Sequence, residues 1–362
     1  MPSKLVLVMP QSSLSGGSDF ALVSLLKSEF RNSVKEVIFF ESGPLEELIK
    51  KLGINTKIMN FPRLLSFQFI WFAIKAKIKF RGDTELSFFA WMSKASLFVR
   101  FVAGSRLCLT YYHEFPFHNL LERLTFFDKQ TVRIFCSDLV HAEFKQIYRF
   151  KSSFVINPPF LNSRFKKIAG IKLYSKDSPV ISIGTISRLE RWKKLEELIL
   201  LSKLMKDHGF RVRLTIAGGA SKVSIGYKED LIELAQKLNV IDDCNFLGEI
   251  NYVEEVLNTL DIFINTSPQE PFGLNLVEAA FMKVPIIATK FCGAGRKFHE
   301  IDACLLYDAG NVVDLFSKII ETLESLETRS RVDRAYELAG KLDANAFIKS
   351  FQMVLQELEL KP

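Results

Sequence analysis

The chain is short of the residues that staple small folds or hold metals. It has five cysteines in 362 residues, Cys108, Cys136, Cys244, Cys292 and Cys304, with long spacings and no Cys-x-x-Cys pair. An odd number so spread excludes a disulfide framework and a zinc site, and fits reduced thiols in a cytoplasmic protein. No Asp-x-Asp occurs; Asp83-Thr84-Glu85 comes nearest and lacks the setting of a metal clamp, so neither a metal nor a cofactor is expected. No run of about 18 apolar residues exists to span a bilayer. The opening MPSKLVLVMPQ has too short an apolar stretch for a signal peptide and suits a first buried strand. There is no short repeat, no low-complexity tract and no recognisable nucleic-acid module.

What is present fits a folded two-domain protein. Hydrophobic residues make up 48% and charged residues 25%, which argues against long disorder, and 362 residues exceed one ordinary core. The net charge of +7 is uneven. Residues 1–160 hold 21 Lys+Arg against 13 Asp+Glu, whereas residues 161–362 hold 27 against 28. The basic excess therefore lies in the first half. It suits a domain that rests on anionic lipid or takes an acidic acceptor, and a nucleic-acid binder would share it.

Short apolar runs alternate with amphipathic stretches. Strands are expected at Leu5–Met9, Val34–Phe40, Leu86–Ala90, Leu107–Tyr111, Arg133–Cys136 and Phe154–Ile156, with helices from Ser18 to about Phe30 and over Leu45–Leu52. Asn157-Pro158-Pro159-Phe160 then breaks the rhythm, and a Lys-rich stretch runs to Pro179. The pattern restarts with strands at Val180–Thr185, Val212–Ala217, Asn245–Leu247, Ile262–Asn265 and Pro285–Ala288. Helices fit Lys193–Lys206, Lys228–Leu238, Leu274–Met282 and Val312–Leu326. This predicts an α/β chain of two doubly wound Rossmann-like domains facing a central cleft. The expected divisions are 1–160, 161–344, and a C-terminal helix in 345–362 that crosses back to the first domain.

The most informative segment is DIFINTSPQEPFGLNLVEAAFMKVPIIA, residues 261–288. A strand leads through a loop into a helix, with Glu270 in the loop and Glu278 about one turn inside the helix. A helix start offers unpaired N–H groups and partial positive charge, a site for a diphosphate, and Gly273 lets the backbone come close. One carboxylate can accept from two vicinal hydroxyls, so each Glu can hold one sugar ring. In ISIGTISRLERWKKLEELI, Arg188 and Lys193 flank the turn after a strand and could offset phosphate charge.

These strings resemble the E-x7-E signature and the Gly-x-Arg…Lys element of glycosyltransferase family 4, which implies the GT-B fold. By that resemblance Glu270 meets a donor sugar, Glu278 the ribose, and Phe272, Gly273, Leu274 and Asn275 supply backbone around the phosphates. Arg188 and Lys193 grip the diphosphate. Gly218, in LTIAGGA, resembles a donor-side turn, though a plain structural turn serves as well. Gly16 and Gly17, after the first strand, match a Gly-rich loop near the phosphate or acceptor, or a bare turn. His113, after the strand ending at Tyr111, matches a His near the reacting centre, with Glu114 beside it as an acceptor contact.

Lys283 stands where relatives carry Gly, and CGAGRKFHE replaces the usual Gly-Gly-x-x-Glu. Residues 67–80, FQFIWFAIKAKIKF, are either a core helix with a basic end or an interfacial helix and groove for a lipid-linked acceptor. The implied activity is retaining, metal-independent transfer of a hexose from a UDP- or GDP-sugar to a saccharide or lipid-linked acceptor. The setting it implies is surface polysaccharide or lipopolysaccharide synthesis, with the protein cytoplasmic and peripheral on the inner membrane face. Alternatives are a nucleotide-sugar epimerase of the same fold and an inactive binding subunit.

Overall fold

The structure, a computed structural model, describes residues 4–359 apart from 15, 60–66, 129, 163–164, 166–179 and 221–222. Most of the Lys-rich stretch before Val180 lies outside the described residues. The chain divides into two compact units, Met1–Leu161 with Leu342–Pro362, and Asn162–Lys341.

The first unit holds seven strands: β1 Lys4–Met9, β2 Val34–Phe39, β3 Thr56–Ile58, β4 Leu86–Ala90, β5 Cys108–Tyr112, β6 Val132–Phe135 and β7 Ser153–Val155. The second holds six: β8 Ile181–Ile186, β9 Val212–Ala217, β10 Cys244–Gly248, β11 Ile262–Asn265, β12 Ile286–Thr289 and β13 Leu305–Tyr307. The sheet orders are β3-β2-β1-β4-β5-β6-β7 and β10-β9-β8-β11-β12-β13, and every pairing is parallel. Parallel sheets carry helices on both faces, so their central strands are mainly apolar and buried. Leu5–Met9 of β1 and all of β4 are buried, as is all of β11.

In each sheet the strand order reverses once, between β1 and β4 and between β8 and β11. Loops leaving the carboxyl ends of strands at such a point diverge and leave room for a ligand. Gly16 and Gly17 follow β1, Arg188 and Lys193 follow β8, and Glu270 follows β11.

Several boundaries differ from expectation. The helix expected from Ser18 to about Phe30 runs Gly17–Leu26 with Gly16 as its N-cap, and Asp19 accepts from the Gly16 amide at 3.1 Å. The helix expected from Lys193 begins at Glu196. A 3₁₀ turn over Arg191–Lys193 precedes it, and Lys194 takes a left-handed φ of 54° that an α-helix does not admit. Lys283 likewise sits at φ 58°, which explains why glycine suits that place. The last helix, Ala344–Glu359, lies in the first unit. Its Phe347 and Phe351 are buried there, with Phe351 5.4 Å from Phe89 and 5.6 Å from Phe30, ring centre to ring centre.

Candidate active site

In the second unit the site is built on the loops after β8 and β11. Glu270 sits in a segment fixed like a short extra strand. Its amide donates to Phe291 O at 2.8 Å, its carbonyl accepts from Gly293 N at 3.0 Å, and Phe272 O accepts from Ala294 N at 2.7 Å. The side chain is therefore carried on an ordered frame, and its carboxylate pairs with the Lys193 ammonium. Both side chains are only 12% exposed, so each charge depends on the other for solvation. The Thr266 hydroxyl, just past β11, donates to Lys193 O at 2.7 Å and ties the two loops together.

Helix Leu274–Phe281 starts directly behind Glu270, with Gly273 as its N-cap at φ 97°. A Cβ at Gly273 would lie 3.1 Å from Cys292 Sγ and 3.2 Å from Glu270 Cγ, so both conformation and space call for glycine. The helix start leaves the Leu274 and Asn275 amides without intrahelical acceptors. The Asn275 side chain is already engaged: its Nδ2 donates to Ile186 O at 2.9 Å and its Oδ1 accepts from Leu276 N at 2.9 Å. Asn275 thus braces the helix start against the end of β8. Phe272 is buried and Leu274 half-buried, and Glu278, also half-buried, lies four residues into the helix. Cys292 lies beneath this loop; burial pushes its thiol up to about 12, with the Glu270 charge adding, so it stays protonated. It bonds at 3.4 Å to Phe272 O and accepts from Gly295 N at 3.4 Å.

Arg188 follows β8 with its side chain 44% exposed, and its guanidinium meets Glu190 at 3.0 Å. Glu190 is buried and also accepts from Trp192 Nε1 at 2.6 Å. Lys193 Nζ stands 3.9 Å from the Trp192 ring centre. Gly218 serves packing here. A Cβ would fall 1.8 Å from Ser187 O, so only glycine lets the turn after β9 close on the Arg188 loop.

The first unit holds a second cluster. Gly16 caps its helix through backbone alone; a Cβ there would touch Asp19 at 3.6 Å, an ordinary contact, so the fold does not itself demand glycine. Asp19 is buried and gathers Ser13 Oγ at 3.0 Å and Gln11 Nε2 at 3.2 Å. Trp91, at the end of β4, donates from Nε1 to Ser18 O at 3.0 Å and packs 5.1 Å from the His113 ring. The Gly16-Gly17 loop and His113 are thereby neighbours of one indole. His113 also lies 4.0 Å from the Tyr111 ring, and its Nε2 is shielded from solvent with no hydrogen-bond partner among the described residues. Burial lowers its pKa to about 3, so the imidazole is neutral at neutral pH. Glu114 points inward: it accepts from Ser93 N at 3.1 Å and from His113 N at 3.0 Å. Burial raises its pKa, and its bond to the His113 amide holds that stretch of backbone.

Two residues of the second unit's site escaped the sequence reading. Glu190, which positions Arg188 and Trp192, had a signal in its place two residues after Arg188. Thr266 had none, since its partner is 73 positions away.

Comparison with known proteins bears on the same segments. The model of the family described as "Glycosyl transferases group 1" matches residues 171–337. A capsular polysaccharide biosynthesis glycosyltransferase, CapM of Staphylococcus aureus, is 27% identical over 180 residues, 49% of this chain and 44% of that protein. The lipopolysaccharide core biosynthesis mannosyltransferase LpsB of Rhizobium meliloti is 27% identical over 136 residues, 36% of each chain. The chain thus spans less than half the length of these curated relatives. Anabaena HepE, solved in complex with UDP, superposes with a TM-score of 0.81 at 20% identity, over 98% of this chain and all of that one. A glycosyltransferase from Rickettsia africae gives 0.80 at 17% identity over 99% of each. With two parallel α/β sheets, the E-x7-E segment between β11 and β12, and the family model over residues 171–337, the chain has the GT-B fold, and this segment of its second unit belongs to the group 1 glycosyltransferases, glycosyltransferase family 4.

Proposed function

We propose that this protein transfers a hexose from a UDP- or GDP-sugar to a saccharide or lipid-linked acceptor, with retention at the anomeric carbon. We place it in surface polysaccharide or lipopolysaccharide synthesis. The observation that carries the reading is the Lys193–Glu270 pair, held nearly dry at the start of helix Leu274–Phe281. A donor diphosphate exchanges for Glu270 as the partner of Lys193. That frees the carboxylate to accept from two sugar hydroxyls, and no charge is left buried alone. Arg188, partly exposed on its Glu190 support, and the Leu274 and Asn275 amides supply further cationic and dipolar contact. Glu278 takes the ribose.

In the reaction the acceptor oxygen bonds to the anomeric carbon as the bond from that carbon to the phosphate oxygen breaks. The acceptor proton passes to the leaving phosphate, whose charge Lys193 and Arg188 offset. His113, neutral and with an unpartnered Nε2, offers a hydrogen bond to the sugar without adding charge. Support for the class of product comes from the curated relatives, which include capsular and lipopolysaccharide core transferases. Support for the nucleotide comes from HepE, solved with UDP-glucose.

Calorimetric titration with UDP, GDP and their hexose conjugates tests the donor, and proton NMR of the product reads the anomeric configuration. Binding of one nucleotide-sugar and an unchanged anomer are expected. An inverted anomer, or conversion of the donor sugar with no acceptor present, would overturn the reading.

A further inference from the structure

Helix Phe67–Lys79 turns a narrow face inward and leaves a second apolar face uncovered. Ala73 and Ala76, with Phe80 just beyond the helix, are buried in a core cluster shared with β4 and helix Ser96–Ala103, which fixes the roll of the helix. At about 100° per residue, Ile70, Trp71, Ile74 and Ile78 fall on the far side, and they are 44–67% exposed. Lys75 and Lys77 border this stripe on opposite edges. Lys75 Nζ stands 3.4 Å from the Trp71 ring centre and Lys77 Nζ 4.8 Å from that of Phe101, itself exposed on the neighbouring helix. Contiguous apolar surface marks a contact site.

Charge decides what the contact is. From Leu48 to Gly82 there is no Asp or Glu, against eight Lys and Arg. Lys79 is taken up by Glu36 at 2.7 Å, whereas Lys75, Lys77 and Arg81 meet no acid among the described residues. A second copy of this face would set like charges against one another. Aliphatic residues and Trp in the middle, with Lys at the edges, match a helix lying in a lipid interface, where the stems of Lys follow the apolar surface and the ammonium groups reach phosphate. We propose that this face of the first unit docks on an anionic bilayer. Helix Phe67–Lys79 lies in the plane, Ile70, Trp71, Ile74 and Ile78 enter the boundary of headgroup and acyl chain, and Lys75 and Lys77 sit among the lipid phosphates. The inference does not depend on what the second unit binds.

The test is flotation of the full chain with phosphatidylcholine vesicles, with and without one third phosphatidylglycerol. Binding to the anionic vesicles alone is expected, with a blue shift of tryptophan emission that Trp71→Phe abolishes. Lys75→Glu with Lys77→Glu lowers partition at least about tenfold, and Ile74→Ser with Ile78→Ser does so independently. Both variants keep the wild-type circular dichroism melt, because all four side chains are exposed. Equal binding to neutral vesicles, undiminished binding by both variants, or no binding to anionic vesicles would overturn the proposal. So would self-association in sedimentation velocity, lost in the Ile74→Ser/Ile78→Ser variant and unaccompanied by vesicle binding.

Discussion

Lys193 and Glu270 pair in a place with little water, whereas Arg188 is partly exposed, and this makes the two neighbouring cations separable by experiment. Lys193→Ala strands the Glu270 carboxylate, so a loss of about 1–3 kcal/mol in stability is expected, together with at least tenfold weaker donor binding. Chemical denaturation and titration with the donor check both. Arg188 is 44% exposed and paired with Glu190. Arg188→Ala should leave the denaturation midpoint nearly unchanged and lower kcat by about a hundredfold, the cost of one missing contact to developing charge.

His113 gives a pH signature. Its folded pKa of about 3 lies below the ordinary value of 6.5, so between those values the unfolded chain binds the proton and the folded chain does not. The stability it contributes is complete above pH 6.5 and is lost as pH falls from there toward 3. Between pH 7.5 and 5 this amounts to about 2 kcal/mol. Urea melts of His113→Phe should lose that much less stability over the same interval than those of the wild type.

At the scale of the element, the start of helix Leu274–Phe281 is the critical joint. Gly273→Ala places a methyl against Cys292 and Glu270 at φ 97°. It should cost about 1–2 kcal/mol and weaken donor binding by moving the Glu270 carboxylate; thermal melts and titration read the two effects. The same scale shows what the sequence discloses and what it hides. Leu86–Ala90, Val212–Ala217 and Ile262–Asn265 are expected and found over the same residues, because strands of a covered parallel sheet are short, mainly apolar runs. Thr56–Ile58 and Leu305–Tyr307 are edge strands of three residues and carry too little pattern to be seen. The early start assigned to the helix at Lys193 fails because Lys194 carries no mark of its left-handed backbone. The string EPFGLNLVE is legible because its residues are neighbours in the chain. The pairing of Lys193 with Glu270 spans 77 positions and is settled only by the reversal of strand order between β8 and β11.

For the whole molecule, the path of the chain matters as much as either unit. The first unit takes its last helix from the far end of the sequence, and Phe347 and Phe351 complete an aromatic layer with Phe30, Phe89, Trp91 and Tyr111. Phe347 touches the same indole and phenol rings that flank His113. Phe351→Ala should therefore destabilise the first unit by about 3–5 kcal/mol while donor affinity, carried on the second, stays near wild type. Two separated transitions in a urea melt, with only one shifted, would show it.

That borrowed helix also sets a timetable. On the ribosome the first 161 residues emerge with an unfinished core, and Phe351 follows roughly 10–40 s later at ordinary rates of synthesis. Throughout that interval Phe30 and Phe89 lack their last partner, and the second unit is complete at Lys341, before Phe351 arrives. The order of maturation runs opposite to the order of translation, and the nascent first half is the stretch that most needs a chaperone's shelter.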